Sequence, residues 1–382
     1  MKHILTFFKK DPVLSIAALA AVITMFLVPP SAAYIAYIDV RVIVLLFCLM
    51  VTVAGLRKTG LFDAMARTLL AKTKTLRQVV LILMLLCFFS AMAVTNDVAL
   101  LTFVPFAVLV LQRMGQQKWL PYTVVLQAAA ANLGSMLTPV GNPQNLFLYS
   151  YYGFTAGDFF AVTLPAWALS LVLLCLLCLP VKGSAEAPRL SAAENSDATG
   201  GMAAEAEPLE KKGLLFYTVL FVLCLLTVFH VLHYGLLLLL LCAVVLVFDR
   251  SVFKLADYGL LVTFLCFFIF VGNLGEVEAV RNLLITALEG REFWLSVGLS
   301  QIISNVPAAV LLAGFTDAGK ELLLGVNVGG LGTLIASLAS LIAFRLYGAS
   351  EGAETGKFMK LFTLVNVALL AVLCLFSLLI SL

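Results

Sequence analysis

Four short stretches of this sequence set hydroxyl and amide side chains inside otherwise apolar runs. Val94-Thr95-Asn96-Asp97 is the first. Asn132-Leu133-Gly134-Ser135-Met136-Leu137-Thr138, continued by Pro139-Val140-Gly141-Asn142-Pro143-Gln144-Asn145, is the second. Ile303-Ser304-Asn305-Val306 and Asn327-Val328-Gly329-Gly330-Leu331-Gly332-Thr333, with Ser337 and Ser340 just beyond, follow in the same order later in the chain. No continuous helix tolerates Pro139 and Pro143 around Gly141, and the glycines at 329, 330 and 332 weaken the second run in the same way. A helix broken at these points frees main-chain carbonyls beside the oxygens of Thr138, Thr333, Asn142, Asn145, Ser337 and Ser340. Such oxygens suit a hard cation.

Asn96 and Asn305 can offer an amide oxygen to a cation and N–H groups to an oxyanion, or can simply cap irregular backbone. Asp97 is the one acidic residue set well inside an apolar stretch, where an ionised carboxylate is costly unless paired or solvated. Two roles fit it: holding Na⁺ or carrying a transported H⁺, and capping the helix that follows. Both can hold at once. A carboxylate at a helix N-terminus also argues against a highly charged anion there. No Lys or Arg lies in these tips and loops, so anion affinity would come from helix N-termini and a bound cation. The candidate substrate and ion site is therefore Thr95, Asn96, Asp97, Asn132, Thr138, Pro139, Gly141, Asn142, Pro143, Asn145, Ser304, Asn305, Asn327, Thr333, Ser337 and Ser340. Asn96, Asp97 and Asn305 are candidate Na⁺ ligands; no other cofactor is expected.

The elements that must position these residues are membrane helices. Of 382 residues, 63% are hydrophobic and 12% charged, and the mean hydropathy is +1.10. Soluble domains are about half apolar and about a quarter charged, which excludes a soluble enzyme, a disulfide scaffold, a disordered chain and a nucleic-acid binder. Apolar runs longer than barrel strands give an all-α integral membrane protein in the lipid bilayer. Candidate spans are 13–30, 40–56, 78–94, 97–112, 119–150, 158–180, 213–229, 235–248, 258–273, 293–315, 320–347 and 358–381. Broken helices at 119–150 and 320–347 are tolerated at membrane depth only where they line a protein cavity. The eight cysteines all lie in apolar runs and read as packing residues, Cys175-x-x-Cys178 included. The basic start of the chain, ahead of an apolar run ending at Pro29-Pro30, resembles a signal peptide but reads better as a first transmembrane helix.

Charge placement fixes a topology. With the N-terminus inside, and with 78–112 and 293–315 as re-entrant hairpins, twenty of the 24 Lys and Arg are cytoplasmic; only Arg41, Arg281, Arg291 and Lys320 are outside. The C-terminus is then external. Each arm of the second hairpin has roughly 12 residues, or about 18 Å of helix against a core of about 30 Å. The chain divides into an N-terminal transmembrane helix (1–39), a first repeat (40–182), a polar Gly-, Ala-, Ser-, Glu- and Pro-rich cytoplasmic linker (183–212), two scaffold helices (213–255) and a second repeat (256–382). Each repeat holds a span with Gly55 or Gly272 near its end, then a hairpin tipped by a hydroxyl residue and Asn, then a helix broken at N-x-G-x-x-x-T. Charge sends 40–56 inward and 258–273 outward, so the repeats are inverted, a mark of secondary transporters.

At Thr95-Asn96-Asp97-Val98-Ala99, Leu137-Thr138-Pro139-Val140-Gly141-Asn142-Pro143-Gln144-Asn145, Ser304-Asn305-Val306-Pro307 and Gly332-Thr333-Leu334-Ile335-Ala336-Ser337 the chain resembles a family of ion transporters. This superfamily includes divalent-anion/sodium symporters, citrate-transporter-like permeases, arsenite permeases and a class of sodium/proton antiporters. The resemblance implies an elevator, with hairpins and broken helices sliding against a scaffold that forms a homodimer. Where the symporters carry Ser-Asn-Thr at each tip, this chain has Asp97 and Val306 at the third position. That moves the likeness away from dicarboxylate carriers, toward arsenite and uncharacterised anion permeases.

The reading is a secondary active transporter in the cytoplasmic membrane, moving a small anionic substrate with Na⁺ or H⁺. The alternative is a proton-coupled efflux antiporter for an oxyanion or Na⁺, with Asp97 as carrier. A non-transporting subunit has no need of two matched breaks, and a membrane enzyme lacks a cluster of His, Cys or carboxylates. Gly314-Phe315-Thr316-Asp317-Ala318-Gly319-Lys320 mimics a phosphate loop, but Glu321 replaces its Ser or Thr. His230 and His233 flank an external turn and read as solvated residues, with pH sensing the alternative.

Overall fold

A computed structural model describes residues 12–182 and 210–381. Lys2, Lys9 and Lys10 and the linker up to residue 209 lie outside the described residues. The apolar runs fold as helices because a lipid-exposed backbone must satisfy its own N–H and C=O groups. In order they are α1 (Pro12–Met25), α2 (Tyr34–Tyr37), α3 (Val40–Lys58), α4 (Leu61–Leu70), α5 (Leu76–Val94), α6 (Asn96–Arg113), α7 (Leu120–Ser135), α8 (Pro143–Tyr151) and α9 (Ala156–Leu177). After the linker come α10 (Lys211–Val228), α11 (Tyr234–Phe248), α12 (Tyr258–Glu276), α13 (Glu278–Leu288), α14 (Glu292–Ile303), α15 (Asn305–Ala313), α16 (Gly319–Val328), α17 (Leu338–Gly348) and α18 (Thr355–Ser381). There is no strand among the described residues. Seven helices, α3, α5, α6, α9, α10, α12 and α18, are long and apolar enough to cross a bilayer.

Side chains mark several of the starts. Thr75 and Gln78 form a reciprocal capping box on α5, while Asp39, Thr155 and Asp257 cap α3, α9 and α12. Two features depart from the sequence reading. The first helix stops at Met25, ahead of Pro29-Pro30, rather than running to residue 30. Helices α4 and α13 were hidden in stretches read as connections, because each is amphipathic and carries charge (Asp63 and Arg67; Glu278 and Arg281) that masks it from a hydropathy scan. Each of them follows a long span and precedes a hairpin. The two hairpins also differ in size: α5 and α6 have 19 and 18 residues, α14 and α15 only 12 and 9.

Two groups of helices pack around the candidate site. In one, α3 lies against α10 and α11, and α12 against α1. Here Gly55 and Gly272 are needed for close approach: a Cβ at Gly55 would collide with the Tyr217 ring, and one at Gly272 with the Tyr37 ring. In the other group α7 is central, clasped by α5 and α6 and flanked by α9, α17 and α18. Ala128, Ala129, Ala130 and Ala131 of α7 are all fully buried. Small side chains let helices pack closely where lipid offers no hydrophobic drive for them to associate. The two halves of the chain interlock crosswise: α6 packs on α17 and α15 on α8, so each hairpin's second arm rests on a half-helix from the other half of the chain.

Candidate ion and substrate site

The site is built from two hairpin turns and two helix breaks. Thr95 (φ 72°) and Ser304 (φ 74°) turn the hairpins. They are two of only three non-glycine residues with positive φ among the described residues, and both also have ψ near 150°, a conformation costing roughly 1–3 kcal/mol. That turn aims the next amide into the opposite loop. Asn96 N donates to Gly141 O (3.1 Å) and Asn305 N to Ala336 O (2.9 Å). Thr138 Oγ1 donates to Met92 O, and Thr333 Oγ1 donates to Gln301 O (3.0 Å). Every one of these contacts has its counterpart at the matching position of the other half.

The breaks are joined by a crossed amide network. Asn132, at the end of α7, donates through Nδ2 to Ser337 Oγ (2.8 Å), Ser340 Oγ (3.4 Å) and Gly330 O (3.4 Å). Asn327, at the end of α16, donates to Asn145 Oδ1 (2.6 Å) and accepts from Asn142 Nδ2 (3.2 Å). An asparagine near the end of each first half-helix thus grips the start of the second half-helix in the other half of the chain. Those starts are capped from within: Asn142 Oδ1 accepts Asn145 N (2.9 Å), and Ser337 Oγ accepts Ser340 N (3.2 Å). Asn96 Nδ2 joins the first chain by donating to Asn132 Oδ1 (3.3 Å). Pro139 and Gly141 shape the first loop, and Pro143 opens α8, where the missing N–H is no loss.

Freed carbonyls are held differently in the two loops. Asn145 Nδ2 gathers the carbonyls of Ser135, Met136 and Thr138 at 3.1–3.3 Å. Ser340, at the matching position, is too short for that. Gln301 does the work instead: its Nε2 donates to Gly329 O (2.8 Å) and Leu331 O (3.0 Å), and its Oε1 accepts Thr333 N (2.9 Å). Gln301 escaped the sequence reading, although a lone amide in an apolar hairpin arm was a signal. It stands where the first half has Met92.

Sequence offered Asn96 as a partner for a cation or an oxyanion or as a cap, and Asp97 as a Na⁺ ligand, a proton carrier or the cap of the following helix; the structure corrects the cap. The N-cap of α6 is Thr95, without a side-chain bond, and Asp97 lies inside the first turn. Asn96 Oδ1 accepts Asp97 N (2.9 Å), so both ends of the Asn96 amide are engaged. Asp97 Oδ1 is inaccessible to solvent and has no hydrogen-bond partner. Asn305 is buried against Gly330, where a Cβ would lie 2.9 Å from its Nδ2. All sixteen predicted residues fall in the two tips and two breaks, which the packing brings together. His230 is exposed in its turn, as expected, and its Nδ1 also accepts from Arg41 Nη1 (2.6 Å) while its ring lies beside Tyr149. Lys320, of the false phosphate loop, pairs with Asp158 (3.3 Å), and the eight cysteines are free.

A family profile described as "Citrate transporter" matches residues 4–318. The inner membrane protein YbiR of Escherichia coli is 32% identical over 319 residues, 81% of each chain. An uncharacterized transporter of Methanocaldococcus jannaschii is 30% identical over 340 residues, 88% of each. The silicon efflux transporter of Oryza sativa is 29% identical over 160 residues, 40% of this chain and 32% of its own. Matched over most of its length by that profile and by relatives of its own size, the chain belongs to the citrate transporter family and is a multi-pass membrane transporter.

Proposed function

We propose that the protein is a secondary active transporter of the cytoplasmic membrane that carries a small anion coupled to Na⁺ or H⁺ by an elevator motion of two inverted repeats. The observation that carries this is the crossed network, Asn132 to Ser337 and Ser340 against Asn327 to Asn142 and Asn145. Four helices, α6, α8, α15 and α17, begin around it, and the positive ends of helix dipoles favour an anion where no Lys or Arg stands. The sixteen tip and loop residues are the proposed site, with Asn96, Asp97 and Asn305 nearest to a bound Na⁺. The ion pairs support the topology. Lys58–Asp249 and Lys320–Asp158 each join two segments that charge assigns to one side of the membrane. A homodimer is the proposed assembly.

Asp97 favours a second reading, proton-coupled efflux. A carboxylate oxygen buried without a partner is held most cheaply when protonated. Uptake of anions into proteoliposomes, under imposed Na⁺ or H⁺ gradients of either sign, tests both. Symport predicts accumulation driven by an inward gradient, efflux by an outward one; flux indifferent to both gradients would overturn the coupled mechanism. Asp97→Asn should abolish the pH dependence of flux while leaving the fold intact, and a fully pH-responsive mutant would exclude Asp97 as the carrier.

A further inference from the structure

Away from the asparagine core, the ends of α3, α10 and α11 enclose a cavity of 370 Å³ lined by Lys58, Thr59, Glu210, Tyr217, Phe248 and Asp249. Lys58 and Asp249 already satisfy each other. Lys58 Nζ donates to Asp249 Oδ2 (2.7 Å) and Ser251 Oγ (2.8 Å), and Asp249 Oδ1 accepts from Ser251 N and Oγ. Two lining groups are left over. Glu210 enters no ion pair among the described residues. Tyr217 is 2% exposed and its hydroxyl, buried against the cavity, has no hydrogen-bond partner. Such an orphan in a buried place is costly unless something fills it.

Both groups are placed deliberately. The bare Cα of Gly55 admits the Tyr217 ring, and the Glu210 carboxylate folds back over Gly213, where a Cβ would lie 3.1 Å from Oε2. Phe248, stacked on Phe216 at 4.3 Å between centroids, gives the cavity an aromatic wall. A carboxylate, a phenolic oxygen and an aromatic face together suit an ammonium with N–H donors. The exposed Lys211 and Lys212 begin α10 beside Glu210 and can meet a phosphate. From this end, exposed apolar side chains continue along α10 and α11: Leu215 (69% exposed), Val219 (52%) and Val247 (88%). They would carry acyl chains. The charge-derived topology puts this end in the cytoplasmic leaflet.

We propose that this cavity holds the primary-ammonium headgroup of an aminophospholipid, its amine on Glu210 and Tyr217 and its phosphate toward Lys211 and Lys212. The full-length protein in nanodiscs of phosphatidylcholine, alone or mixed with phosphatidylethanolamine or phosphatidylglycerol, tests it. Phosphatidylethanolamine should raise the unfolding midpoint by about 2–5 °C over phosphatidylcholine, because the trimethylated amine has no N–H to donate. Glu210→Gln should remove this difference, and Tyr217→Phe should reduce it. Native mass spectrometry should retain phosphatidylethanolamine on the parent chain and not on Glu210→Gln. Equal midpoints in the two lipids, or a difference that survives Glu210→Gln, would overturn the proposal. An equal effect of phosphatidylglycerol would overturn the ammonium, and an equal effect of soluble phosphoethanolamine would overturn the lipid as its source.

Discussion

Replacing Asn327 by alanine is the sharpest perturbation of the crossed network. The change removes the donor to Asn145 Oδ1 (2.6 Å) and the acceptor of Asn142 Nδ2 (3.2 Å). Asn142 keeps a second acceptor in Ser135 Oγ (3.1 Å), so its loss is partial. Asn145 is fully buried, and its Oδ1 is left with no other bond. A buried polar group deprived of its partner costs roughly 1–3 kcal/mol in soluble proteins, whereas hydrogen bonds between membrane helices average about 0.6 kcal/mol. Asn145 stands between rigidly capped helix ends and cannot turn to a new partner, so the upper part of that span applies, about 2 kcal/mol with the small cavity included. For a chain of this size that lowers the unfolding midpoint by about 2–6 °C.

The eight free cysteines supply the assay. Cys48, Cys87, Cys178 and Cys224 are at most 1% exposed, so a thiol-reactive fluorophore reports their exposure on heating. Asn145→Ala alone should be worse than Asn327→Ala, because it also releases the three carbonyls of Ser135, Met136 and Thr138. The double mutant should fall short of the sum by about 1 kcal/mol, since both changes break the same bond. A midpoint for Asn327→Ala within about 1 °C of the parent, or strict additivity with Asn145→Ala, would refute the claim that these amides fasten the two breaks to each other.

Two further outcomes follow from groups at the edges of the bundle. Arg57 Nη2 donates to Leu101 O (3.4 Å), a carbonyl left without its helical donor because the residue four positions on is Pro105. Arg57→Gln should lower the midpoint by about 1–2 °C and do nothing in a Pro105→Ala background, where the helix closes that bond itself. Burial, and then the Arg41 guanidinium, hold the His230 imidazole below its ordinary pKa of 6.5. The folded chain therefore binds fewer protons there than the unfolded chain. This contribution to stability is complete above 6.5 and is lost as pH falls from there through the depressed folded value. Thermal midpoints measured across pH 5–8 should decline on the acid side in the parent and flatten in His230→Gln.

The repeated polar signatures were legible because apolar surroundings make every amide and hydroxyl conspicuous. Asn132, Thr138, Asn327 and Thr333 stood out at a fixed spacing, and each makes a bond that its counterpart also makes. What sequence could not show was who answers whom. Nothing in the spacing says that Asn132 reaches Ser337 rather than Asn142, because the crossing depends on how the two halves interlock. Helices α4 and α13 were illegible for the opposite reason: they lie in charged stretches where hydropathy falls and only periodicity remains. Asp97 misled as a cap because the tip strains Thr95 into positive φ and starts the helix at Asn96.

The two halves match most closely in the backbone and least in how their breaks are tied, and that difference has a mechanical consequence. The first loop is tied from within its own helix by Asn145 of α8; the second is tied from the hairpin, by Gln301 of α14. Separating the first hairpin, α5 with α6, from α7 breaks the bond of Thr138 to Met92 and releases Asn96 from Gly141, yet leaves the first loop's carbonyls gathered. Separating α14 from α16 breaks the bond of Thr333 to Gln301 and also strips Gly329, Leu331 and the Thr333 amide of their partner. The second break therefore cannot open at its hairpin without losing its own shape, while the first can. The carboxylate follows the same division. Asp97 stands on the hairpin whose loop survives opening, and the matching position on the other hairpin is Val306. The one acidic side chain of the two tips thus stands in the half whose loop is tied from within.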